Sequence, residues 1–74
     1  MIKTARKRQK FTQKVLAKKT GLSQGYISKL ENNSTVFHSP TITQIISISS
    51  ALNIDVYILA KWFIDKELEE NKID

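Results

Sequence analysis

The stretch FTQKVLAKKTGLSQGYISKLEN, Phe11 to Asn32, decides how the rest of the chain is read. Thr12 suits the start of a helix, because its hydroxyl can accept a bond from a backbone N–H in the first turn. Val15, Leu16 and the stem of Lys19 then supply one apolar face. Gly21 ends that helix, since glycine takes the left-handed conformation without steric cost. Leu22 fills the corner, and Ser23 caps the next helix two residues after the glycine. In that helix Ile27 and Leu30 turn inward at i and i+3. Ala17 is small where the two helices cross. The stretch therefore predicts two helices at roughly 90–120°, joined by a turn of three or four residues.

Working outward, Ile2, Ala5 and Gln9 predict a short first helix that closes near Lys10 and Phe11. Asn32 to Pro40 reads as a loop, with polar residues at both ends. Thr41 opens a fourth helix carrying Ile42, Ile45, Ile48 and Leu52 on one stripe, and Asn53 suits the position just past its end. Asp55 caps a fifth helix over residues 56–70, and residues 71–74 form a loose tail. No run alternates with a period of two, so the expected fold is all-α. It is a compact five-helix domain over residues 1–70, with a helix-turn-helix made by helices 2 and 3.

Composition narrows the chemistry. A chain of 74 residues makes one small domain, burying only about 60% of its unfolded surface. There is no Cys to build a disulfide framework or a thiolate site. His38 lacks a plausible second ligand, so neither metal nor cofactor is expected. Ser47, Ser49 and Ser50 have no adjacent base for nucleophilic work, and Asp65, Glu67, Glu69 and Glu70 read as a solvated helix face. No apolar run follows the basic N-terminus, and none approaches the roughly 20 residues of a membrane span. The expected location is the cytoplasm.

Charge is segregated. The net charge is +5. Residues 1–31 hold nine Lys or Arg against one acid, Glu31, for +8, and residues 32–74 hold three Lys against six acids, for −3. Such asymmetry suits a molecule that turns one end to a polyanion. In a helix-turn-helix the early residues of the second helix of the pair project outward, free to touch base edges in a major groove.

The chain resembles the phage-repressor, Cro-like (XRE) family of bacterial and phage regulators. The resemblance runs from about Ile2 to Leu59, through Ala5-Arg6, Thr12-Gln13, Leu16-Ala17, Gly21, Ser23, Ile27-Ser28 and Leu30-Glu31-Asn32. It continues as Pro40-Thr41, Ile45, Ile48, Leu52 and Leu59. It implies a repressor-type domain that binds double-stranded DNA, with Gln24, Gly25, Ser28 and Lys29 at the bases. A glutamine there can grip adenine bidentately, and a lysine suits guanine O6 and N7. Gln13, Ser23, Tyr26, Asn32 and Lys10 fall at phosphate-contacting positions, which fix register without reading sequence. Arg6 matches a family arginine that pairs with the glutamate closing the third helix, here Glu31. Two departures stand out. Gly25 replaces a side chain that often touches bases, so readout narrows or the backbone approaches the DNA more closely. The family's Asn-Gly is Asn32-Asn33 here, and the loop of residues 33–39 is longer than usual.

The fifth helix carries more apolar surface than one core needs. Val56, Leu59, Ala60 and Phe63 make the inward stripe, leaving Tyr57, Trp62, Ile64 and Leu68 for a homodimer interface. The expected function is a repressor occupying a palindromic operator, neither an enzyme nor a small-molecule receptor. The alternative is a protein-interaction subunit, antitoxin-like or antirepressor-like, binding a partner through that helix.

Overall fold

The computed structural model describes residues 1–32 and 39–70. Most of the long loop and the terminal tail expected from the sequence lie outside them. Five helices follow in order: α1 (Ile2–Arg8), α2 (Gln13–Thr20), α3 (Gln24–Glu31), α4 (Ile42–Leu52) and α5 (Val56–Glu70). No strand occurs among the described residues.

Hydroxyl or carboxylate caps start four of them. Thr12 Oγ1 accepts from the Val15 N–H at 3.1 Å, and Ser23 Oγ from the Tyr26 N–H at 3.0 Å. Thr41 and Gln44 form a reciprocal capping box, and Asp55 Oδ1 accepts from the Tyr57 N–H at 2.8 Å. Each cap satisfies donors that the helix cannot satisfy itself.

Three helices end in the same way. Lys10 (φ 62°), Gly21 (φ 73°) and Asn53 (φ 54°) sit in the left-handed region. The next residue in each case, Phe11, Leu22 or Ile54, donates its N–H back to Arg6, Ala17 or Ser49 at 3.0–3.1 Å. This is the Schellman arrangement, which usually brings an apolar contact with it. Here Phe11, Leu22 and Ile54 all pack against the core.

That core is built from Ile2, Leu16, Ile27, Ile48, Leu52, Leu59 and Phe63, all at most 3% exposed, with Ala5, Ala17, Leu30 and Ile45 around them. α2 packs on α3 and α4, α4 on α5, and α1 closes against α3 and α4. The inward stripe of α5 is as the periodicity predicts. Two other assignments need correction. Val15 is 39% exposed and Ile42 76% exposed. α2 buries Leu16 and Ala17 instead, while Lys19 places its Nζ 5.0 Å from the Phe11 ring centroid. Ile42 is the first residue of α4, where the helix has not yet reached the core.

Candidate nucleic-acid interface

Gly21 and Leu22 set the angle between α2 and α3, and the core contacts of Ile27 and Leu30 hold α3 down on one side. The opposite side is therefore presented outward. Gln24, Gly25 and Lys29 are exposed there, and Ser28 is half-buried. Positions 25, 28 and 29 share one helix face by their i, i+3, i+4 spacing. Gln24 and Lys29 make no hydrogen bond to any described residue. Ser28 Oγ accepts from Asn32 Nδ2 at 3.3 Å, across the last turn.

The residues expected at phosphates are more engaged. Ser23 spends its hydroxyl on the α3 cap. Gln13, first residue of α2, donates from Nε2 to Glu31 Oε1 at 3.1 Å, and Tyr26 donates its hydroxyl to Gln44 Oε1 at 3.3 Å. The same Gln44 oxygen accepts the Thr41 N–H at 2.9 Å, so the capping box of α4 also steadies α3. Burial raises the Tyr26 phenol above its ordinary pKa. Lys10 is exposed at the left-handed end of α1.

Arg6 and Glu31 form a bidentate pair. Nε donates to Oε2 at 2.7 Å and Nη2 to Oε1 at 3.1 Å, with the two side chains only 10% and 1% exposed. A third arginine nitrogen, Nη1, donates to the Phe11 carbonyl at 2.7 Å. The hydrogen bond with Glu31 raises the guanidinium pKa, burial opposing it, and Glu31's charge adds to the rise. The pair cancels its own charge, so the field at this end comes from eight exposed cations: Lys3, Lys7, Arg8, Lys10, Lys14, Lys18, Lys19 and Lys29. Some also serve the fold, since Lys7, Arg8, Lys18 and Lys19 lie in last turns, where the helix dipole favours positive charge.

Sequence reading missed Gln44. The Thr41-x-x-Gln44 spacing is a capping-box signature that would have found it. The four residues expected at a dimer interface do not share one surface. Tyr57, Ile64 and Leu68, respectively 82%, 56% and 66% exposed, line a groove of about 530 Å³ between α4 and α5, together with Ile42 and Ile46. Trp62 lies about 140° around the helix from Tyr57 at 3.6 residues per turn. It is half-buried, edge-on to Phe63 at 4.9 Å, with the Lys66 ammonium 4.7 Å from its ring centroid.

Compared with known protein families, residues 2–59 match the helix-turn-helix family. The chain belongs to that family, in its XRE type, and is a DNA-binding transcriptional regulator. No curated protein and no solved structure matches it. No helix among the described residues is long and apolar enough to cross a membrane.

Proposed function

We propose that the protein represses transcription by occupying a palindromic operator as a homodimer, with α3 of each copy in a major groove. The observation that carries this reading is the outward face of α3. Its Gln24 and Lys29 side chains have no partner among the described residues, and Lys29 is one of eight exposed cations in residues 1–31, which hold no exposed acid. Gln24 reads adenine, Lys29 guanine, and Gly25 and Ser28 flank them. Lys10, Gln13, Ser23, Tyr26 and Asn32 meet phosphates, through side chains or through N–H groups at the starts of α2 and α3.

Dimerisation draws support from the α4–α5 groove. Ile42, Ile46, Tyr57, Ile64 and Leu68 together form an apolar patch of a kind that monomers seldom leave open. A two-fold pair places recognition helices about 34 Å apart, one DNA turn. The same groove supports the second reading, a protein-interaction subunit whose partner lies between α4 and α5. Selecting bound duplexes from a random pool tests the first reading. A palindromic consensus with half-sites one turn apart supports it, and recovery of unrelated sequences sinks it.

A further inference from the structure

The chain has two glycines, and the fold accounts for only one of them. Gly21 sits at φ +73°, which side chains rarely adopt. Gly25 has an ordinary helical backbone in the first turn of α3, and a Cβ added there meets nothing within 4 Å. Glycine is the poorest helix former after proline. A bare position in an eight-residue helix therefore weakens an element that the rest of the domain takes care to cap. Neither backbone conformation nor internal crowding among the described residues calls for it. Its bareness has no cause among the described residues.

We propose that Gly25 is the point of closest approach between protein backbone and base edges, and that it seats the C5 methyl of a thymine. This deepens the operator-binding reading and rests on it. Gly25 is flanked by Gln24, and Ser28 and Lys29 share its face one turn on. Removing the side chain opens a notch between three polar groups. A bare Cα offers no hydrogen bond beyond those its neighbours make. The apolar feature that protrudes into the major groove is the thymine methyl. Seated in the notch, it lets α3 descend until Gln24 and Lys29 reach the flanking pairs. A Cβ at position 25 would hold the helix further out.

The test uses the full chain and the best duplex recovered by selection. Wild type and Gly25→Ala are compared on that duplex, on a scrambled one, and on versions in which each thymine in turn is replaced by deoxyuridine. Melting temperatures of both free proteins are measured alongside. The variant is expected to melt higher. It should bind the selected duplex at least about fivefold more weakly, within the range of one lost base contact, and the scrambled duplex equally well. One thymine-to-uracil change should weaken wild type about three- to fivefold, the worth of one buried methyl, and leave the variant unmoved. A variant that binds the selected duplex as tightly as wild type overturns the proposal, and so does a uracil series that affects both proteins alike. If wild type prefers no duplex at all, the operator-binding reading falls, and the proposal with it.

Discussion

Among single residues, the informative ones are those whose side chains disagree with their backbones. Lys10 occupies a left-handed position that costs an ordinary residue about 1–2 kcal/mol and a glycine almost nothing. Its exposed ammonium compensates only if something negative meets it. Lys10→Gly should therefore raise the melting temperature of the free protein. It should also weaken binding to all duplexes by similar factors, and reduce the log–log salt slope by about 0.9. Unchanged affinity and slope would remove Lys10 from the phosphate contacts. Gln24 makes a different prediction, because in the proposed complex its amide reads rather than anchors. Gln24→Ala should cost about 1–3 kcal/mol at the preferred site, concentrated at one base pair. An equal loss on random DNA would show that it reads nothing.

Elements were legible wherever local chemistry marks their ends. Thr12, Ser23, Thr41 and Asp55 announce starts, and Gly21 and Asn53 announce stops, because each satisfies orphan backbone groups in a way its residue type favours. Lys10 gave no such sign. Nothing in a lysine side chain favours the left-handed region, so the end of α1 is set by Phe11 packing on the core instead. Val15 and Ile42 were misplaced for different reasons. Val15 lies about 100° around α2 from the buried Leu16, off its inward face, and Ile42 is the first residue of α4, one turn ahead of the buried Ile45. The outward row of α3 was legible from the family resemblance together with the inward register of Ile27 and Leu30. The bonds from Gln13 to Glu31 and from Tyr26 to Gln44, each spanning 18 residues, were not, because no local signal encodes a contact between helices. The Arg6–Glu31 pair binds α1 to α3 in the same long-range way. Glu31→Ala leaves a guanidinium buried without its partner, and should cost about 3–5 kcal/mol. In a domain of this size that lowers the melting temperature by more than about 10 °C. A shift of a degree or so would show that the pair is dispensable.

For the whole molecule, charge and the apolar groove govern behaviour together. The cations crowd into the first 31 residues while α5 ends in acids, so the proposed DNA-bound dimer would keep its acidic ends away from the phosphates. Binding should be steeply salt-dependent. With six or more phosphates engaged, affinity should fall at least ~1000-fold between 50 and 200 mM salt, and a flat salt response would contradict this mode of recognition. Self-association should depend on the α4–α5 groove and not on Trp62. Ile64→Asp/Leu68→Asp is expected to sediment as a monomer at concentrations where wild type is a dimer, and to lose most of its operator affinity. A double variant that dimerises unchanged would move the interface off this groove.

The open face of α3 has one more consequence, for how such a regulator changes its target. Ile27 and Leu30 hold the helix from below, Ser23 fastens its first turn, and Glu31 ties down its last. None of these fastenings uses the side chains of Gln24 or Lys29 or needs one at Gly25, and among the described residues the Ser28 hydroxyl bonds only to Asn32. The outward row of α3 is thus mechanically separable from its mount. Those four positions can be rewritten together, as type is reset in a fixed frame, and the domain should keep its fold while it acquires a new operator.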